Sequence, residues 1–113
     1  MHEMSLAEGI LQIVEDTARA NAAAQVRAVL LEIGALSHVE EQSLRFCFDA
    51  VTRGTVADGA RLEVMATPGR AWCMPCGESV ALARLGEACP LCGGYQLQVT
   101  QGEEMKVKEI EVA

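Results

Sequence analysis

Cys73-Met74-Pro75-Cys76 and Cys89-Pro90-Leu91-Cys92 are two Cys-x-x-Cys pairs separated by twelve residues. Their reading decides how the rest of the chain is arranged. Two cysteines with two residues between them turn both sulfurs toward one ion, and a second such knuckle supplies the other two corners of a tetrahedron. Gly77 after the first knuckle and Gly93-Gly94 after the second suit turns that need positive φ or close backbone approach. Pro75 and Pro90 stiffen those turns. The gap is a little shorter than the usual two-knuckle spacing, so the intervening hairpin is expected to be compact.

Cys73, Cys76, Cys89 and Cys92 are read first as a structural Zn2+ site, since four soft thiolates in a tetrahedral set suit zinc. A rubredoxin-like iron centre is the next reading, because spacing alone does not separate the two metals. The lack of a secretory signal weighs against two disulfides. A thioredoxin-type redox pair would place one Cys-x-x-Cys at a helix start after a strand, which two matched knuckles do not resemble. A closed four-thiolate zinc has no open coordination position. Function must therefore be sought elsewhere in the chain.

Of the 113 residues half are apolar, yet there are only two Phe, one Trp and one Tyr, so the core is aliphatic. The length suits a single small globular unit with a metal-held subdomain. Nine Lys and Arg stand against sixteen Asp and Glu, a net charge of −7. That balance excludes nucleic acid as the expected partner, because phosphate neutralisation needs clustered positive charge. No apolar run approaches the length of a membrane span. The expected location is cytoplasmic.

Ser5-Leu6-Ala7-Glu8 has the form of a capping box and predicts the start of a helix. Met4, Ala7, Leu11, Val14 and Ala18, widened by Ile10 and Ile13, form its apolar stripe. Gln25 to Ile33 reads as a strand with both faces at least partly covered, ended by Gly34. Ser37-His38-Val39-Glu40 repeats the capping form and predicts a second helix from about His38 to Arg53, with Leu44, Cys47, Phe48 and Val51 at helical spacing. Cys47 on that stripe is read as a buried small hydrophobe. Arg61 to Ala66 alternates as a second strand.

Inside the cysteine loop, Ser79 to Leu85 is read as one arm of a hairpin and Tyr95 to Thr100 as a strand, with Gln101-Gly102 as a turn. In the last segment Met105 and Val107 are out of phase with Ile110 and Val112, which predicts a bulge near Lys108-Glu109. A strand this apolar is expected to return to the sheet of the first half. The expected fold is α+β: two helices packed on a small mixed sheet, with an inserted zinc-ribbon-like loop. The expected division is residues 1–68, completed by the C-terminal strand 103–113, and a zinc-binding subdomain of residues 69–102.

Met1-His2-Glu3 carries its own chemistry. The α-amino nitrogen of Met1, the backbone nitrogen of His2 and its imidazole can close fused chelate rings in one plane, a geometry suited to Ni2+ or Cu2+; the plainer reading is a histidine that any protein can carry at its second position. Glu3 adds a carboxylate. The positive end of the first helix disfavours a bare cation nearby but favours anionic ligands. His38, the other histidine, stands beside Glu40 and Glu41. Its simplest reading is a solvated residue in the first turn of the second helix, and whether His38 or Glu40 joins the terminal site is left open.

Met1-His2-Glu3 before an amphipathic helix, Cys73-x-x-Cys76, Cys89-Pro90-x-Cys92-Gly93 and the terminal Met105-Lys106-Val107-Lys108-Glu109-Ile110 together resemble the HypA/HybF family of hydrogenase nickel-incorporation proteins, across essentially the whole chain. The resemblance implies a metallochaperone, not an enzyme, that loads nickel into nickel–iron hydrogenase and in some organisms serves urease. It implies nickel at His2 with Glu3 adjacent, which makes residues 1–68 the nickel-binding domain, and zinc at Cys73, Cys76, Cys89 and Cys92. The implied partners are the GTPase HypB and the large subunit of nickel–iron hydrogenase. Some family members carry histidines flanking the zinc cysteines; this sequence has none there. The competing readings are a zinc-ribbon interaction module without nickel and a rubredoxin-like iron electron carrier.

Overall fold

The computed structural model describes residues 3–113; Met1 and His2 lie outside the described residues. The chain runs α1 (Glu3–Ala20), β1 (Val26–Gly34), α2 (Glu41–Thr52), β2 (Arg61–Thr67), β3 (Arg70–Cys73), β4 (Glu78–Ala81), β5 (Leu97–Gln101) and β6 (Met105–Val112). Two helices pack on a small mixed sheet of order β2-β1-β6, and a second sheet of order β4-β3-β5 belongs to the cysteine-rich insertion. The last strand does return to lie beside β1. Two compact units result. One comprises residues through Leu31 with His38–Val64 and Val107–Ala113, the other Glu32–Ser37 with Met65–Lys106.

In the first unit, α1 buries Ala7, Ile10, Val14 and Ala18, a three-and-four spacing that puts one stripe inward. Ile10 rather than Leu11 occupies the centre of that stripe, and Met4 and Ile13 are exposed. The helix begins at Glu3, two residues before the predicted Ser5 cap, so Ser5 lies within its first turn. An acidic residue at this position suits the unpaired amides and positive end of a helix. On α2 the buried residues are Leu44, Phe48 and Thr52, whose hydroxyl donates to the Phe48 carbonyl at 2.8 Å. Cys47 is half-buried, not fully interior.

The second helix starts at Glu41, not His38, because Glu40 takes the N-cap position. With φ −90° and ψ 115° it is still extended, and its carboxylate accepts from the amides of Gln42 at 3.3 Å and Ser43 at 2.6 Å. Two otherwise orphaned first-turn donors are thus satisfied by one side chain. Ser37 acts in the preceding turn instead, where its hydroxyl donates to the Gly34 carbonyl at 2.7 Å just after β1.

In the second unit β3 is the central strand, pairing Cys73 with Glu78 of β4 and with Leu97 of β5, with an irregularity between Arg70 and Ala71 on the β5 side. The hairpin arm is shorter than the predicted Ser79 to Leu85, since β4 ends at Ala81. Alternation sends Ala71 and Cys73 inward, where Leu36, Val80, Leu82 and Cys89 complete a small core. Gly102, at φ +103°, turns the chain from β5 to β6, and a side chain there would sit 2.7 Å from the Cα of Gly69. Backbone passes so closely at this point that only glycine fits. Along β6 the half-buried positions are Met105, Val107 and Ile110, so the inward phase shifts by one residue between Val107 and Ile110, where the sequence places its change of register.

Candidate metal centre

The first Cys-x-x-Cys knuckle leaves the end of a strand, which fixes its direction. Cys73 is the last residue of β3, and Gly77 returns its amide to the Cys73 carbonyl at 2.8 Å with φ +65°. The second knuckle closes in the same way: Gly93, at φ +74°, donates to the Cys89 carbonyl at 2.9 Å. The sulfurs of Cys73, Cys76, Cys89 and Cys92 all lie within 4.8 Å of one another. Cys73 Sγ is 3.7 Å from Cys92 Sγ, and Cys76 Sγ is 4.0 Å from Cys89 Sγ. A tetrahedron with metal–sulfur bonds of about 2.3 Å has edges of about 3.8 Å. The cluster therefore fits an ion bound by four thiolates.

Backbone donors are already aimed at the sulfurs. The amide of Leu91 points at Cys89 Sγ and that of Gly94 at Cys92 Sγ, both at 3.4 Å. Such donors favour thiolate over thiol. Without a cation, four sulfurs this close share hydrogen bonds, and their proton affinities spread apart. The Cys89 thiol is drawn down to about 7, chiefly by the amide of Cys92 and also by that of Leu91. Cys76 is pushed up to about 12, first by the neighbouring Cys73 sulfur and then by that of Cys92. For Cys73 the amide of Cys76 pulls downward, but burial and the sulfurs of Cys89 and Cys92 outweigh it and the net shift is upward. A divalent ion at the centre favours the thiolate form of all four.

The predicted site residues divide between what the structure brings together and what it leaves aside. The four cysteines meet. Glu3 is described, and its carboxylate accepts the backbone N–H of Glu40 at 3.3 Å, linking the starts of α1 and α2. His38 is exposed. The predicted ligands Met1 and His2 lie outside the described residues. Two contributors escaped the sequence reading. One is Leu36, which sits in the core with Cys73 and Cys89; it lies outside the cysteine segment, so no local pattern points to it. The other is the role of Glu40, a residue the sequence reading had left open as a ligand: it caps the first turn of α2, and its amide reaches Glu3 across 37 positions. Among the described residues no helix is long and apolar enough to cross a membrane.

The family profile described as "Hydrogenase/urease nickel incorporation, metallochaperone, hypA" matches residues 1–112. The hydrogenase maturation factor HypA of Albidiferax ferrireducens is 63% identical over 112 residues, covering 99% of each chain. That of Azotobacter chroococcum is 61% identical over the same length and coverage. The solution structure of the Ni metallochaperone HypA from Helicobacter pylori superposes with a TM-score of 0.72 at 24% identity, over 99% of this chain and 97% of that one. A second solution structure of a HypA protein gives a TM-score of 0.75 at 23% identity; both share the fold. The full-length profile match and the relatives above half identity place the chain in the HypA family of nickel-incorporation metallochaperones.

Proposed function

We propose that this chain binds Ni2+ at its N-terminus and helps insert it into nickel–iron hydrogenase during maturation, with Zn2+ held structurally by Cys73, Cys76, Cys89 and Cys92. The observation that carries the reading is a family match over residues 1–112 that includes Met1-His2-Glu3. The Met1 amine, the His2 backbone nitrogen and the His2 imidazole hold nickel in a plane, a nitrogen set suited to that cation. Glu3 is the adjacent contributor, and its carboxylate is already oriented by the Glu40 amide. Family membership makes the protein a carrier of metal, not a catalyst.

The two metals play different parts. Four convergent thiolates close the zinc site and leave no position for exchange, and binding free energy there contributes to folding the segment around it. A terminal chelate has few side-chain ligands, which suits transfer. We assign nickel to residues 1–68 with strand 103–113, and zinc to residues 69–102. The GTPase HypB and the hydrogenase large subunit are the proposed partners, in the cytoplasm; the charge of −7 biases encounter toward basic surfaces on them.

Calorimetric nickel titration of three zinc-loaded forms tests this reading: the native terminus, His2→Ala, and a form with residues added before Met1. Binding to the native form that is lost in both others at constant zinc content is the expected result. Equal binding by all three puts the nickel site elsewhere. Failure of all three to bind nickel makes the protein a zinc-ribbon interaction module, and iron in place of zinc makes it an electron carrier.

A further inference from the structure

We propose that the open groove where α1 and α2 begin docks a segment of a partner protein bearing an apolar anchor flanked by lysine or arginine. The groove has a volume of ≈ 540 Å³ and is lined by Glu3, Met4, Glu40, Ser43, Phe46 and Cys47 among others. Its apolar wall is unusual for the surface of a chain this poor in aromatics. Phe46, one of only two phenylalanines, is 75% exposed, and Met4 beside it is 41% exposed. Neither residue serves the core: the inward stripes of the two helices are Ala7, Ile10, Val14 and Ala18 on one, and Leu44, Phe48 and Thr52 on the other. Large apolar side chains left outside a well-formed core mark places where another surface is expected.

Charge selects the occupant. One end of the groove carries the carboxylates of Glu3 and Glu40, and Asp49 is exposed one helical turn beyond Phe46. Glu40 is anionic at neutral pH, and the amide of Ser43 lowers its carboxyl pKa further. Arg45, on the same helix, is turned to Glu41 Oε2 at 3.0 Å and to the Leu62 carbonyl, so its charge is engaged away from the groove. An apolar wall with two carboxylates in its lining and a further exposed carboxylate on the same helix fits an apolar side chain with basic neighbours, which gains burial from the first and steering from the second. A second copy of the chain meets it with like charge, since each copy carries −7. An open groove between helix ends also suits a peptide segment laid along it.

The test uses the full zinc-loaded protein without nickel, so its outcome is separate from that of the terminal chelate. Three short helical peptides serve as probes: one with leucines one turn apart among lysines, one with glutamates in place of the lysines, and one with serines in place of the leucines. Affinity and amide shifts are measured for native protein, Phe46→Ser, Asp49→Asn and, as a control, Met74→Ser, which changes an exposed apolar residue of the other unit. Phe46 is solvated, so its replacement leaves the fold intact. The expected result is preferential binding of the leucine–lysine peptide, with shifts at Met4, Ser43, Phe46 and Cys47. Phe46→Ser then weakens it roughly tenfold or more, as truncation of an aromatic anchor does, and Asp49→Asn reduces its salt dependence. Equal binding of the glutamate peptide, or equal weakening by Met74→Ser, overturns the proposal. Self-association that Phe46→Ser abolishes overturns it too, by assigning the groove to a second copy.

Discussion

The backbone amide of Glu40 donates to the carboxylate of Glu3 across 37 positions of sequence, at 3.3 Å. The residue that follows the predicted nickel-binding histidine is thereby tied to the residue that caps α2. The tie is a single solvent-exposed hydrogen bond, and its net contribution to stability is small because water competes for both partners. Its consequence is local order rather than global stability. Glu3→Ala is expected to speed amide exchange at Glu40 with little change in melting temperature, whereas Glu3→Gln, which keeps an acceptor oxygen, leaves that exchange near native. Equal exchange in native protein and Glu3→Ala would show that the bond does not persist in solution.

Glu40 also makes a prediction about acid. The Ser43 amide is the largest cause that holds its carboxyl below the ordinary value of 4.5, with the Gln42 amide adding to it. Because the folded-state value is depressed, the capping contribution is complete above pH 4.5 and is lost as pH falls through the lowered folded value. Thermal melts of native protein and Glu40→Gln are expected to differ most near neutrality and to converge at low pH. A difference that stays constant across this range would mean that the charge of Glu40 does not strengthen the cap.

Removal of metal is expected to act on the second unit. In the metal-free cluster Cys76 is raised to about 12 and Cys73 is raised as well, so both hold protons at neutral pH. Loading the ion must displace them, and apparent zinc affinity therefore rises with pH. Chelator competition at successive pH values measures the slope, and calorimetry in buffers of different protonation enthalpy counts the protons. Trp72, the lone tryptophan, immediately precedes Cys73, so its fluorescence is expected to change on chelation. Affinity independent of pH would contradict the spread of thiol proton affinities across the four cysteines.

The cysteine cluster was legible because its determinants are local: two residues between each pair and glycines where the turns need positive φ. The apolar periodicity of α1, the two covered faces of β1 and the alternation of β2 were legible for the same reason. The helix starts were not. The Ser5 and Ser37 capping forms are local signals too, but Ser5 lies within the first turn of α1 and Glu40, not Ser37, caps two amides of α2. Leu11 and Ile10 occupy neighbouring positions on one stripe, and only the packed partner decides which faces inward; Ile10 does. Leu36 shows the limit most clearly. It lies between a strand and a helix in a stretch that reads as connection, yet it is only 3% exposed in the core that holds the metal ligands.

That placement supports a last prediction. Leu36 shares its cluster with Ala71, Val80, Leu82, Cys73 and Cys89, while its side chain also fills the space beside Gly69 that a Cβ there would invade at 2.7 Å. In so small a core one leucine is a large share of the apolar contact. Leu36→Ala removes buried methyl groups and leaves a void, at a cost of about 2–5 kcal/mol. Because the void borders Cys73 and Cys89, the strain falls on two of the four metal ligands. Leu36→Ala is therefore expected both to lower the unfolding temperature and to hasten zinc loss to a chelator, whereas Leu91→Ala, an exposed replacement inside a knuckle, does neither to the same degree. Zinc release from Leu36→Ala at the native rate, despite a lowered melting temperature, would show that the ion's four bonds hold the knuckles without help from the core beneath them.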